Sequence, residues 1–114
     1  MIRVSGTTAN SPISSIPVIG GSSARSQAVH ALDIISEALQ ALGGSLSDVV
    51  RTRIMLRNEE DCEEVVRVHG WAFNCVGIRP ANTTVVCGLV GKEYLVEIEA
   101  EAELGCGKVL KMSC

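Results

Sequence analysis

The stretch GIRPANTTVVCGLV, from Gly77 to Val90, brings a guanidinium, an amide and two hydroxyls together just ahead of an apolar run. The groups concerned are Arg79, Asn82, Thr83 and Thr84. A guanidinium clamps a carboxylate through paired hydrogen bonds, whereas amides and hydroxyls hold a carbonyl or an anion without a counter-charge. The plainer reading is a strand entry whose polar side chains satisfy nearby backbone groups, with Arg79 solvated on a loop whose direction Pro80 restricts. From these residues alone the corner either receives a polar ligand or begins a strand.

A second set lies in YLVEIEAEAEL, where Glu97, Glu99, Glu101 and Glu103 recur at every second position. A carboxylate can position or deprotonate a water, but four on one strand face serve equally as ion-pair or interface groups. His69 titrates near neutrality and is a candidate at a cleft; it also falls in the apolar stripe of a helical pattern, where a packed, hydrogen-bonded histidine belongs. With two histidines and no paired ligand spacing, no metal site is expected. Cys87, within an apolar run, reads as an inert core thiol rather than a nucleophile. Ser5-Gly6 either offers backbone N–H groups to a ligand or marks a bulge that needs glycine.

Composition narrows the classes. At 114 residues the chain suits one domain spanning residues 1–114, and 46% hydrophobic against 20% charged residues is enough apolar material for a core. Aromatics amount to 3%, and 10 basic residues face 13 acidic ones for a net charge of −3. Such a surface neither stacks bases nor attracts a phosphate backbone, so no nucleic-acid partner is expected. The five cysteines form an odd set without CxxC spacing, which indicates buried thiols in a reducing compartment. No run approaches the ~20 apolar residues of a membrane span, and no basic-then-apolar leader opens the chain. The expectation is a cytoplasmic protein without a membrane partner.

The elements that must position these groups follow from periodicity. Ile2 to Ala9 alternates as a short strand; residues from Asn10 to Ser23 have loop composition, with IPVIGG as a brief extended stretch. Ala28, Leu32, Ile35, Leu39 and Leu42 recur at helical spacing until Gly43-Gly44 ends the helix. DVVRTRIML puts Val50, Thr52, Ile54 and Leu56 on one strand face and Arg51, Arg53 and Met55 on the other. A second helix starts at Asn58 as N-cap, with Cys62, Val65, Val66, His69, Ala72, Phe73 and Val76 as its apolar stripe, before Gly77 and Pro80 stop it. Val85 to Val90 reads as a buried strand, Tyr94 to Leu104 as a strand with one apolar and one glutamate face, and residues 105–114 as a loosely held tail. The order predicts an α+β fold: a single sheet covered on one face by two helices, whose second face, lined by Arg51, Arg53 and the glutamates, is available for other subunits.

VSGTTA, QAVHALDIISEALQALGGSLSDVVRTRIML, RPANTTVVCGL and LVEIEAEA, in that order between Val4 and Ala102, resemble the YjgF/RidA (Rid) family. The resemblance implies a chorismate-mutase-like fold assembled as a homotrimer with a barrel-like core and clefts between subunits. For the founding members it implies hydrolysis of reactive enamines and imines to keto acids and ammonia, with no cofactor. In the deaminating members an arginine after the Pro-Ala pair clamps the substrate carboxylate, and a glutamate on the last strand helps to place the water. The glutamate corresponds to Glu97; the arginine position holds Asn82.

Exchanging a charged bidentate contact for a neutral one costs about 1.5–3 kcal/mol of binding, so little activity on 2-aminoacrylate is expected. Thr84 stands where many members carry a small thiol or hydroxyl, and His69 where an aromatic is common. The run through Cys87 is one residue short before Gly88-Leu89, which implies a bulge or register shift. The chain begins at what is usually the family's second strand, so the first strand and its share of the cleft are expected to be absent.

The expected function is a trimer with a small-molecule metabolite in each intersubunit cleft. Glu97 would place water, and Asn82, Thr83, Thr84, Arg79, Gly6 and His69 would bind substrate. A non-catalytic metabolite-binding trimer is the alternative. An endoribonuclease ranks third, because the acidic chain lacks the paired histidines or metal-ligand cluster that such cleavage exploits.

Overall fold

A computed structural model of the protein describes residues 1–10 and 21–105. Within them β1 (Ile2–Thr7), α1 (Ala24–Ala41), β2 (Val49–Leu56), α2 (Cys62–Cys75), β3 (Ala81–Val86) and β4 (Val96–Ala102) follow in chain order. The extended reading of IPVIGG falls largely, and that of the tail from residue 106 entirely, outside the described residues.

The strands form one sheet in the order β1-β4-β2-β3. β4 runs antiparallel to both β1 and β2, while β3 is parallel to β2, the arrangement that a crossover through α2 permits. Both helices cover the same sheet face. Val96, Ile98, Ala100 and Ala102 of β4 alternate inward against Ile35 and Leu39 of α1 and Val65 and Phe73 of α2. This is the expected α+β architecture, two helices on a single sheet.

Several local expectations are corrected. α2 begins after a 3-10 turn over Glu59–Asp61, and Asn58 makes no side-chain capping bond. Val68 is buried where the stripe had Val66, which is 43% exposed, because four-residue steps from Val65 through His69 to Phe73 carry the buried seam between Val68 and Val65. Leu42 lies beyond the helix and is exposed. Gly43 takes φ +86°, and the N–H groups of Gly43 and Gly44 close on Gln40 and Leu39 carbonyls, which is how the helix ends.

The largest correction concerns β3. It begins at Ala81 rather than Val85, ends at Val86, and lies at the sheet edge instead of in the core. Its pairing with β2 runs unbroken from Arg51–Ala81 to Leu56–Val86, so no bulge or register shift interrupts β3, and the strand ends before Cys87, where one was expected. The register shifts instead fall in β1, between Val4 and Thr7, and in β2, between Val49 and Arg51. Beyond β3 a side chain holds the backbone: Arg57 donates to the carbonyls of Leu89, Gly91 and Tyr94 at 3.0, 2.6 and 2.7 Å. That capture draws the chain away from the sheet, and Val85, Val86 and Val90 stay exposed, Val90 by 92%. Cys87 and Cys75 are likewise exposed, contrary to the core thiol expected from an apolar run.

Gln27 anchors the return into β4. Fully buried, it donates to the Gly21 and Glu93 carbonyls and accepts from the Leu95 N–H at 2.9 Å, so no polar atom is stranded. β4 therefore starts at Val96, two residues later than the alternation predicts.

Candidate functional site

Parallel pairing places Asn82 beside Thr52 on the helix-covered face of the sheet. The Asn82 amide donates from Nδ2 to Thr52 Oγ1 at 2.9 Å and accepts at Oδ1 from the Thr84 hydroxyl at 2.8 Å. Thr52 Oγ1 lies 2.8 Å from His69 Nε2. Asn82 Nδ2 can only donate, so Thr52 Oγ1 accepts from it. Burial lowers the His69 pKa and favours the neutral ring, whose Nε2 accepts the Thr52 hydroxyl proton in the tautomer that carries its own proton on Nδ1. The ring also packs on Phe73, with centroids 4.8 Å apart and tilted by 53°. This chain of bonds orients the amide, leaving one of its N–H groups and one lone pair without a partner among the described residues.

His69, Asn82 and Arg79 line one cavity of about 690 Å3 between α2 and the start of β3, with Trp71, Phe73 and Arg67 on its walls. The size lies within the range of small-molecule sites. Arg79, exposed, makes no hydrogen bond or ion pair among the described residues. The structure therefore gathers Arg79, Asn82 and His69, with Thr84 supporting the amide.

The remaining predicted site residues lie across the sheet. Thr83 points to the open face, where its hydroxyl accepts from Arg51 Nη2 at 2.9 Å. Glu97 is in register with Met55 on that same face, alternating with buried Val96 and Ile98. Its carboxylate occupies the space over Gly6, where any side chain would collide with Glu97 Oε2. The glycine, at the irregularity in β1, makes room for the carboxylate. Arg53 pairs with Glu99 at 3.4 Å, and Arg3 is in register with Glu101, so the open face alternates charges of both signs.

Thr52, Trp71 and Arg67 were not identified as site residues from the sequence. Thr52 did carry a signal, a hydroxyl on an otherwise apolar strand face, which requires a buried partner. Trp71 and Arg67 carried none, because nothing in a helical pattern distinguishes a solvated face from a cavity wall.

Two helices packed on one face of a four-stranded mixed sheet form the chorismate-mutase-like α+β fold of the YjgF proteins. The family model for Endoribonuclease L-PSP matches residues 1–104, and the chain belongs to that family, also called YjgF/YER057c/UK114. Among solved structures, Rv2704 of Mycobacterium tuberculosis, a member of the same family, is 38% identical over 90% of this chain and 77% of its own, with a TM-score of 0.76. The Rid-family protein YyfB of Yersinia pestis is 25% identical over the same shares, with a TM-score of 0.77. NMB1025 of Neisseria meningitidis, a YjgF-family protein, is 26% identical, again over 90% and 77%, at 0.75.

Proposed function

We propose that the protein works as a homotrimer whose small-molecule sites lie between subunits, and that it hydrolyses an imine or enamine other than 2-aminoacrylate. The observation that carries this reading is that Asn82 and Glu97 stand on opposite faces of one sheet. No side-chain rotation brings them to one substrate within a chain. A cleft between copies does, with Asn82, Thr84 and Arg79 of one subunit holding the substrate and Glu97 of a neighbour positioning the water.

Two further features support assembly. β3 leaves a free edge with exposed Val85 and Val86, which a lone chain would leave open to pairing. The open face carries charges of both signs, suited to self-complementary contact. The neutral amide at Asn82 supports weak binding of a small carboxylate. A non-catalytic binding trimer is the second reading, favoured by how fully Thr52 and Thr84 engage that amide.

Mixing tests the arrangement. Asn82→Ala and Glu97→Ala proteins, each inactive alone in an imine-hydrolysis assay over a panel of amino-acid-derived imines, should regain part of the activity after subunit exchange, because some clefts then hold both native residues. Light scattering that reports a stable monomer, or absence of recovery in exchanged trimers, would overturn it.

A further inference from the structure

Trp71 is the one tryptophan of the chain and is 67% exposed on α2. An aromatic side chain that lines a concavity together with a few polar groups has the composition of a ligand pocket. Trp71 lines the Asn82 cavity together with Phe73, Ile78 and Pro80, so one wall is apolar and partly aromatic. The opposing chemistry is cationic: Arg79 makes no ion pair among the described residues, and Arg67 commits Nη2 to Glu63 at 2.8 Å in a highly exposed pair. The smallest imino acids would leave most of about 690 Å3 unfilled.

We propose that this cavity takes a planar aromatic 2-oxo or 2-imino acid. Its ring packs on the Trp71 indole, its carboxylate meets the Arg79 guanidinium, and its oxo or imino group receives the second Asn82 N–H, the one not given to Thr52. The assignment rests on the reading that Asn82 marks the site, and adds the substrate class. Each contact matches a feature of that class: the aromatic wall accepts the ring, the unpaired guanidinium the charge, and the oriented amide the neutral heteroatom. His69, which touches Asn82 through Thr52, acts here as a positioning residue.

Calorimetric titration of the full-length protein with phenylpyruvate and with pyruvate tests it. Phenylpyruvate should bind about tenfold or more tighter than pyruvate, the stacked ring accounting for the difference. Trp71→Ala should bring phenylpyruvate down to the pyruvate level and Trp71→Phe restore part of it, while Arg79→Ala should weaken both acids. Trp71 is exposed, so these variants keep their fold, which a thermal melt verifies. Equal affinity for the two acids, or phenylpyruvate affinity unchanged in Trp71→Ala or Arg79→Ala, would overturn the substrate class. If Asn82→Ala weakens both acids while they bind alike, the class fails and the site stands. If Asn82→Ala alters neither, the site reading fails, and the proposal with it.

Discussion

The hydroxyl of Thr52 stands 2.8 Å from Nε2 of His69, deep between β2 and α2, and the Asn82 amide donates to the same oxygen. One buried hydroxyl thus ties a titratable ring to the amide that faces the cavity. Replacing Thr52 with Val keeps the shape and removes the link. The buried ring and the amide each lose a partner, so Thr52→Val should cost about 1–3 kcal/mol in denaturant unfolding. The Asn82 side-chain amide resonances should shift and broaden as the group loses its orientation; unchanged resonances would count against the relay.

His69 sets a pH dependence whose sign follows from its burial. Its pKa is lowered in the folded protein, so the unfolded chain takes up the proton first as pH falls. Stability is full above the unfolded pKa of about 6.5 and declines as pH drops from there towards the folded value. Denaturation midpoints between about pH 7.5 and pH 5 should fall in the native protein and fall less in His69→Gln, after allowance for the ordinary carboxylates that titrate at the lower end. Equal slopes in both proteins would refute the assignment.

Gly6→Ala should separate stability from activity. The added methyl meets the far end of a flexible side chain, Glu97 Oε2, which can swing aside. Stability should change by less than about 1 kcal/mol, as at surface sites free of packing or hydrogen-bond loss. Any hydrolysis that depends on Glu97 should fall about tenfold or more, since misplacing a water-positioning group is costly. A variant as active as the native protein would show that the Glu97 rotamer over Gly6 is immaterial.

Arg57 holds the segment between β3 and β4 through three carbonyls, those of Leu89, Gly91 and Tyr94. Arg57→Ala should lower stability by about 2–4 kcal/mol, because hydrogen bonds from a charged donor are lost together. Arg57→Lys should recover only a part, as an ammonium lacks the planar fork that spans several acceptors. A midpoint unchanged in the alanine variant would contradict this role.

Asn82→Arg should raise activity on 2-aminoacrylate if the rest of the cleft is competent. A charged bidentate contact is worth about 1.5–3 kcal/mol, or roughly 10- to 150-fold in kcat/KM when it acts on the transition state. Ammonia release from dehydratase-generated imine measures it. Rapid release by the native protein would instead disprove the expectation of low activity on that substrate.

Much of the fold was legible because burial leaves a periodic trace. Leu32, Ile35 and Leu39 mark α1 by helical spacing, and Val96, Ile98, Ala100 and Ala102 mark β4 by alternation, since each set must face one core. The edge strand was not legible in the same way. Val85, Val86 and Val90 have the composition of a core strand, yet composition cannot tell burial in one chain from exposure at a free sheet edge. Cys87 was misjudged for the same reason. For the site, the stretch from Arg79 to Thr84 was recognisable as polar residues ahead of a strand, but two of its members look in opposite directions. Asn82 turns to the helices, and Thr83 to the open face.

Residue order alone carried the α+β class, the α1 seam through Leu32, Ile35 and Leu39, the charged second sheet face and the family. These depend on local periodicity and residue type, which the chain carries along its length. Folding alone revealed that Asn82 reaches His69 through Thr52, that Trp71 and Arg79 share the Asn82 cavity, and that Glu97 lies behind the sheet over Gly6. Those relations join residues that are distant in sequence and depend on strand order and register, which set direction and proximity together. A parallel β3 in register with β2 puts Asn82 beside Thr52; a one-residue slip would turn it to the opposite face.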